Sequence, residues 1–288
     1  MGMAVMVMAC TAPAPDPRTD DVPTRGQVLV IADEDLRPVM DGLHLAFTNT
    51  YREARIELRY TPGSAALKEL MNDSVRVVFM ATAPGADQQA YFRTRNLYPE
   101  LVPLFTDGIA IVQAPGGPAV VSVEEIRARL AGERPGAVLF AGSASGLYLT
   151  LVDSLFAGDA GKIANAAAVE NVDSLVRRVA NDTTALGVLS FAQISDLDHP
   201  QARVRRAGVD LCAVSHENSS PAVPLNQSTL ADGSYPLRRT IYALVTEGKT
   251  GLGTGFVSYI AGHKGQRAIL KSGLAPMQVP AREVEIVH

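Results

Sequence analysis

The sequence predicts an α/β protein made of two lobes that share one long strand. Its 288 residues, of which 47% are hydrophobic, are enough for two small domains with sizeable cores. Strand-like and helix-like segments alternate in both halves of the chain, which indicates mainly parallel sheets flanked by helices. Between the halves, the stretch at 103–115 contains a run of β-branched and apolar residues at 109–112, which is entered through Asp107-Gly108 and left through a Pro-Gly-Gly-Pro turn at 115–118. We interpret this run as a buried strand that crosses between the lobes, with a ligand between them.

The charge and composition exclude several classes of partner. Charged residues make up 19% of the chain, the formal net charge is −4, and basic residues never occur in runs longer than two. We therefore expect no nucleic-acid partner. An anionic ligand stays compatible with an acidic chain, because helix N-termini bind anions without a net positive charge.

The two cysteines, Cys10 and Cys212, are poor candidates for a disulfide framework, and no apolar stretch approaches the roughly 20 residues of a membrane span.

The first 25 residues are predicted to be a lipoprotein signal and tether that lie outside the fold. Residues 1–10 are apolar and uncharged, end in Val-Met-Ala-Cys, and are followed by a proline-rich segment. A small residue before a cysteine at the end of an apolar run resembles the bacterial lipobox, in which the cysteine, here Cys10, is lipidated. The apolar run is short and lacks a basic start, which a misassigned start codon would explain. The alternative is a slightly hydrophobic N-terminus without such a role.

The first lobe is predicted to begin with three strand–helix pairs. Strands are expected at 27–32, 55–60 and 75–80, and helices at 36–51, 65–71 and 87–96. Ligands of parallel sheets bind at the carboxyl ends of the strands. Three loops with hydroxyl or carboxylate side chains follow these ends, at 32–35, 61–64 and 81–84. We therefore expect a binding site there, although helix capping also explains each loop taken alone.

The second lobe contains a strand, a Gly-Ser-Ala-Ser-Gly loop at 142–146, and a helix. The N–H groups and hydroxyls of such a loop can receive an anion, although an ordinary turn also explains it. The loop lacks the Gly-Lys-Ser/Thr of a P-loop and the glycine spacing of a nucleophile elbow. Around it we expect a helix capped by Ser122, with Glu125 at capping-box spacing, strands at 137–141, 187–192 and 209–214, and helices at 147–156 and 174–180. Residues 215–234 are predicted to be a polar connection.

The last segment is predicted to contain a strand at 235–245 and two helices. The glycine run at 251–255 does not fit a Gly-x-Gly-x-x-Gly motif, and we interpret it as a turn before a helix at 256–261. The second helix starts near Gly265 and ends with Gly273 as its C-terminal cap.

Three C-terminal segments together resemble the signature of phosphate ABC transporter substrate-binding proteins, the PstS-like family. They are Tyr-Pro-Leu-Arg-Arg-Thr-Ile-Tyr at 235–242, Phe-Val-Ser-Tyr-Ile at 256–260 and Gly-Gln-Arg-Ala-Ile-Leu-Lys-Ser-Gly-Leu-Ala-Pro at 265–276. Asp-Gly-Ile-Ala-Ile-Val at 107–112 is similar to the crossover strand of that family. The resemblance covers residues 27–284 and is nearest to a lipoprotein branch found in Bacteroidota. It implies a type II periplasmic-binding-protein fold, with lobe I at 26–108 and 238–288, lobe II at 109–237, and a crossover hinge.

The resemblance also implies where a ligand binds. Ser64 or Gly63 matches the family's loop after the second strand, and Ser145 and Gly146 match its Ser-Gly pair in the second lobe. Thr82 stands where a carboxylate is expected. The implied ligand-binding residues are Asp33, Glu34, Arg37, Thr61, Gly63, Ser64, Thr82, Ser143, Ser145 and Gly146.

Several positions depart from the family's pattern. Ala141 stands where the family has an arginine, Ser143 where it has an acid, and the acidic triplet 33–35 replaces a hydroxyl-rich first loop. An arginine that faces phosphate supplies a charge-assisted contact of about 1.5–3 kcal/mol, so its loss weakens the binding of a dianion. Two hypotheses follow: Arg37 substitutes for the arginine, or Asp33 accepts the proton of hydrogen phosphate.

The function implied by the resemblance is that of a lipid-anchored receptor, in the periplasm or at the cell surface. Such a monomer captures inorganic phosphate or a similar anion by hinge closure and passes it to ABC permease subunits. The alternative is a binding module that has lost transport and acts as a sensor or scaffold. The five histidines follow no catalytic or metal-ligand spacing, so we predict no enzymatic activity, no metal and no cofactor.

Overall fold

A computed structural model describes residues 21–142 and 145–278 of the chain. Its strands are β1 (Gly26–Asp33), β2 (Ala54–Thr61), β3 (Val77–Met80), β4 (Glu100–Gln113), β5 (Val120–Ser122), β6 (Val138–Ala141), β7 (Ala166–Val169), β8 (Leu186–Ser190), β9 (Asp210–Leu211), β10 (Ala213–Ser215), β11 (Arg238–Val245) and β12 (Ala275–Pro276). Its α-helices are α1 (Arg37–Thr50), α2 (Gly63–Met71), α3 (Ala86–Thr94), α4 (Val123–Leu130), α5 (Gly146–Phe156), α6 (Val172–Ala180), α7 (Pro200–Ala207), α8 (Gln227–Ala231), α9 (Leu252–Ala261) and α10 (His263–Lys271). The predicted lipidation site Cys10 lies outside the described residues.

The main sheet has the strand order β2-β1-β3-β11-β4-β8-β6-β7, and β9 and β12 also pair with β4. Pairs near its two ends, such as β1–β2 and β6–β7, are parallel. Every antiparallel pairing between two of the strands given above involves β4 or β11. The predicted alternation of strands and helices around mainly parallel sheets is confirmed, with these two strands inserted in the middle.

Strand β4 changes partners along its length. Residues Glu100 to Gly108 pair with β11, and residues Ile109 to Val112 pair with β8. The strand is buried from Leu104 onward, which the apolar run in the sequence predicted. The crossover strand is therefore confirmed, and it begins three residues earlier than the sequence indicated.

Aromatic side chains fill the core between α1, α9 and the sheet. Phe256 of α9 contacts Phe47 and Phe79, with ring centroids 5.2 and 5.6 Å apart and edge-on geometry. All three side chains are fully buried. Edge-to-face contacts of this kind stabilise the packing beyond the burial of apolar surface. They therefore stabilise the packing of α1 and α9 against strand β3.

Two local predictions were wrong. The glycine run at 251–255 is not a turn before a helix, because α9 begins at Leu252 and includes Gly253 and Gly255. A Cβ atom on Gly255 would overlap the backbone of Pro23, so close packing of the preceding segment explains this glycine. The polar connection at 215–234 contains a helix, α8, whose N-terminus is capped by Asn226. Within the described ranges, no helix is long and apolar enough to cross a membrane.

The predicted cap of α4 gives a stability test of moderate size. Ser122 Oγ accepts a hydrogen bond from Glu125 N at 2.9 Å, whereas the Glu125 side chain pairs with Arg129 instead of completing the capping box. We expect Ser122→Ala to lower the free energy of unfolding by about 1 kcal/mol, measured by urea denaturation. Ser74→Ala, on an exposed turn, is the control. Equal effects of the two substitutions would contradict the capping role.

Candidate ligand-binding cleft

A cleft of about 540 Å³ opens beside the carboxyl end of β1. It is lined by residues that follow three different strands or begin two helices. Five of the predicted ligand-binding residues lie there: Asp33, Gly63, Ser64, Thr82 and Gly146. Because these positions are far apart in the chain, the folded structure brings together residues that the sequence analysis could only place on separate loops.

The N-termini of two helices, α2 and α5, reach this cleft. Helix α2 begins at Gly63, and no side chain caps its first turn. Helix α5 begins at Gly146, and the buried Ser145 caps it by accepting a hydrogen bond from Leu147 N at 3.2 Å. The first turn of a helix carries unpaired N–H groups and a partial positive charge. Together the two helix starts favour negative charge in the cleft.

The carboxylate of Asp33 already lies between these helix starts. Asp33 is 3% exposed, and its Oδ1 accepts a hydrogen bond from Asp35 N at 3.3 Å. A Cβ atom built on Gly63 would lie 2.7 Å from Asp33 Oδ2, and one built on Gly146 would overlap the same oxygen. Only glycine at both positions leaves room for this carboxylate.

Behind Asp33, Arg239 of β11 lies among three carboxylates. Arg239 and Asp107 are direct partners across the β11–β4 pair, and Arg239 Nε donates to Asp107 Oδ2 at 2.9 Å. Asp107 is fully buried and also accepts hydrogen bonds from Ser190 Oγ at 2.8 Å and Ala192 N at 3.1 Å. Asp107 thus connects β4, β11 and the end of β8 in one buried ion-pair network.

Asp35 connects the same network to α5. Its Oδ2 lies 3.8 Å from Arg239 Nη1 and accepts a hydrogen bond from Ser145 Oγ at 3.3 Å. The Asp35 carbonyl accepts a second bond from Gln193 Nε2 at 2.9 Å. Through Asp35, the acidic loop at 33–35 therefore contacts Ser145 and Gln193, which both follow the crossover strand in the sequence.

Burial raises the pKa of two of these carboxyl groups, Asp35 and Asp33. Burial raises the pKa of Asp35 to about 7, and the neighbouring Asp33 adds to the rise. Burial likewise raises the pKa of Asp33, although Arg239 opposes this. Burial also acts to lower the pKa of Arg239, but the carboxylates outweigh it, so the pKa is raised and the guanidinium stays charged. At neutral pH the cation therefore shares its site with an Asp35 carboxyl that is only partly ionised.

The guanidinium of Arg239 is not fully satisfied by these partners. It is 5% exposed, yet among the described residues Nη1 and Nη2 have no hydrogen-bond acceptor. Nη2 lies 2.9 Å from Asp107 Oδ2, but that contact is an ion pair without hydrogen-bond geometry. Buried polar groups are normally paired, so Arg239 retains donors for another acceptor.

Three other predicted residues, Glu34, Arg37 and Thr61, do not line the cleft. Glu34 and Arg37 line a separate pocket of about 230 Å³, and the Arg37 guanidinium stacks 3.9 Å from the centre of the Tyr60 ring. Thr61 Oγ1 donates to the carbonyl of the next residue at 3.4 Å. Ser143 lies outside the described residues. A role for these four in binding stays a prediction, and the substitution of Arg37 for the missing arginine gains no support from its position.

Sequence analysis missed Arg239, Asp107 and two exposed charged residues of the cleft, Lys68 and Asp153. The signal for the first two was present, because both belong to segments that carried the family resemblance. Asp107 was interpreted as part of a turn and Arg239 as part of a strand. A charged residue in the middle of an apolar strand requires a buried partner, and that rule would have predicted Asp107 and Arg239 as a pair.

In residues 21–142 and 145–278, no group of three metal-ligating side chains is arranged to hold a metal ion.

The fold and the cleft together define a binding protein of the periplasmic-binding-protein class. The chain belongs to the family of the PBP superfamily domain, whose model matches residues 19–264. A search of curated protein sequences found no match.

Three solved structures are similar to this chain. The first is a putative phosphate ABC transporter substrate-binding protein with bound phosphate from Clostridium perfringens, with a TM-score of 0.72 and 18% identity over 88% of this chain and 100% of that one. An ABC-type phosphate transport receptor from Vibrio cholerae gives a TM-score of 0.67 and 15% identity over 87% of this chain and 100% of that one. A possible phosphate binding protein from Planctomyces limnophilus gives a TM-score of 0.60 and 16% identity over 88% of this chain and 94% of that one. The predicted periplasmic-binding-protein fold is confirmed.

Proposed function

We propose that this protein is the solute-binding receptor of an ABC importer and captures phosphate, or a related small oxyanion, in the cleft beside Asp33. The observation that carries this proposal is the convergence of two helix N-termini, at Gly63 and Gly146, on one cleft. Hydroxyl groups of Ser64 and Thr82 lie in the same cleft and can donate hydrogen bonds to an oxyanion. Two similar proteins support the same ligand: the putative phosphate ABC transporter substrate-binding protein from C. perfringens, which has bound phosphate, and the ABC-type phosphate transport receptor from V. cholerae.

The mechanism proposed is closure of two lobes around the ligand, without chemical change. Lobe I comprises residues 26–108 and 238–288, and lobe II comprises residues 109–237. The change of pairing partner between Gly108 and Ile109 in β4 supports this division. The hydrogen bond from Ser145 Oγ to Asp35 then links the two lobes across the cleft. A small number of such links can be formed and broken as the lobes close and open.

The cellular setting is part of the same proposal. We infer that residues 1–25 are a signal and tether, that Cys10 carries a lipid, and that the protein acts as a monomer in the periplasm or at the cell surface. There it passes its ligand to ABC permease subunits. The lipobox-like Val-Met-Ala-Cys and the proline-rich segment after it support the anchor. Mass spectrometry of the membrane fraction tests it, since a lipidated Cys10 adds the mass of acyl chains and Cys10→Ala abolishes that addition.

Thermal unfolding with added ligands tests the binding function. We expect the full chain carrying Cys10→Ala to unfold at a temperature several degrees higher with phosphate at about 100 times its Kd, because such saturation adds about 2.7 kcal/mol. Sulfate, molybdate and small carboxylates are the comparison ligands. A shift with one of these alone would keep the receptor and change its ligand. If none of them shifts the unfolding of folded protein, the import-receptor proposal is wrong.

A second candidate function is a sensor or scaffold that no longer transports. The position of the Asp33 carboxylate in the cleft favours it, because a fixed negative charge weakens the capture of an anion. The absence of an arginine at position 141 acts in the same direction. The discriminating observation is whether genes for ABC permease and ATPase subunits lie beside the gene for this protein.

A further inference from the structure

The Asp33 carboxylate occupies the place at which the two helix starts would receive an oxyanion. Its Oδ2 lies against Gly63 of α2 and Gly146 of α5, and a Cβ on either glycine would come within 2.7 Å of it. The side chain is almost completely buried. An oxyanion that contacts both helix starts therefore cannot enter without displacing this carboxylate.

We propose that Asp33 is an affinity-limiting residue, a tethered carboxylate that competes with the incoming oxyanion for the starts of α2 and α5. This inference rests on the proposed function. It runs opposite to the hypothesis that Asp33 binds the ligand by accepting its proton. If Asp33 accepts the proton of the ligand, removing its carboxylate weakens phosphate binding. If Asp33 competes with the ligand, removing its carboxylate strengthens phosphate binding, so one substitution at this position separates the two hypotheses.

A second observation is that Arg239 has N–H donors available for a further hydrogen-bond acceptor. Arg239 is nine-tenths buried, and its Nη1 and Nη2 make no hydrogen bond in the part of the chain that the structure describes. Asp33 attracts this guanidinium electrostatically, but it accepts no hydrogen bond from Nη1 or Nη2. When the Asp33 side chain is replaced by a shorter neutral one, an oxyanion can use both the helix starts and the field of this cation.

The charge balance of the site points in the same direction. Asp33, Asp35 and Asp107 share one guanidinium, so their ionisation leaves an excess of negative charge in a buried place. Like charges a few ångströms apart repel strongly at the low effective dielectric of such a site. A dianion such as hydrogen phosphate adds to this excess as long as Asp33 is ionised, and removal of Asp33 lowers it by one charge.

The test is isothermal titration of inorganic phosphate into the full chain carrying Cys10→Ala, with and without Asp33→Ser. Serine restores a hydroxyl of the kind the PstS-like resemblance implies for this loop. We expect the Kd for phosphate to fall at least about tenfold in Asp33→Ser, because a repelling carboxylate has been removed from contact distance. Asp33→Asn, which removes the charge and keeps the volume, is expected to give a smaller gain. It also serves as the second variant if the serine form does not fold.

Glu217→Gln is the matched control, because Glu217 is an exposed carboxylate that does not line the cleft. We expect its Kd to change less than about threefold. Weaker phosphate binding by both Asp33 variants would overturn the inference while leaving the receptor function intact. An equal gain in Glu217→Gln would overturn it too, because the effect would then be one of general charge. Binding by neither the parent nor any variant would overturn the receptor function together with the inference.

Discussion

Replacing Arg239 with methionine is expected to lower the free energy of unfolding by about 3–5 kcal/mol, which is the usual cost of removing one partner from a buried ion pair. Methionine keeps an unbranched, flexible side chain that replaces the aliphatic part of the arginine, so the change removes the charged guanidinium and keeps part of the packing. Asp107 is fully buried, and without Arg239 it loses the cation that compensates its charge. Asp35 and Asp33 lose the same attraction. Chemical denaturation followed by far-UV circular dichroism measures the effect.

Arg238→Met is the matched control for this substitution. Arg238 is the preceding residue of the same strand, and its side chain is exposed. We expect its effect to stay within about 0.5 kcal/mol. The double variant Asp107→Asn/Arg239→Met should be more stable than Arg239→Met alone, since it no longer buries an uncompensated carboxylate at position 107. A loss below 1 kcal/mol in Arg239→Met would show that the carboxylates are protonated and do not need the guanidinium.

The second large effect concerns pH: stability is expected to fall as the pH rises from about 5 to about 7. The pKa of Asp35 is about 7 in the folded protein, against an ordinary value of 3.8. Between these values the folded state keeps a proton that the unfolded chain has released. The free energy of unfolding therefore decreases with pH, by up to about 1.4 kcal/mol per pH unit for one such group. Asp33, whose pKa is also raised, acts with the same sign.

Other shifted groups do not produce this trend. The pKa of Asp173 is lowered, chiefly by its hydrogen bond with Arg205, so its contribution is present above its ordinary pKa and is lost only in stronger acid. Arg239 stays protonated throughout this range, because its raised pKa lies far above it. The fall between pH 5 and 7 should thus report on the carboxylates around Arg239.

Urea denaturation at several pH values, with Asp35→Asn beside the parent, measures the trend. Asparagine imitates the protonated acid, so the variant should lose much of the slope. Asp153→Asn, an exposed change in the cleft, should retain it. If the parent is equally stable at pH 5 and pH 7, then Arg239 keeps Asp35 ionised in the folded state and burial does not dominate its pKa.

Much of the fold could be predicted because its signals are local. The apolar run in β4 and the strand–helix alternation around it are visible within windows of 10 to 15 residues. The start of α5 was predicted from the Ser-Gly pair at 145–146, and its extent differs from the prediction by one residue. Helix α9 was predicted too short because it includes Gly253 and Gly255. Gly255 is required by close contact with Pro23, which lies more than 200 residues away in the sequence.

The site could be predicted only in part. Local patterns placed Asp33, Gly63, Ser64, Thr82 and Gly146 at strand ends or helix starts, and these five residues line one cleft. Which side chain points into the space between two helices is decided by tertiary packing, so the position of the Asp33 carboxylate had no sequence signal. The partnership of Asp107 and Arg239 depends on strand register across 132 residues.

The position of Asp107 limits how the molecule can deform. This residue lies two places before the point at which β4 leaves β11 for β8, and it accepts bonds from Arg239, Ser190 and the backbone after β8. Pulling the β8 end away from the β4–β11 pair would break the bonds from Ser190 and Ala192 to Asp107 in a dry interior, where no water replaces them. The joint therefore has high tensile stiffness, and this stiffness is concentrated at one buried carboxylate.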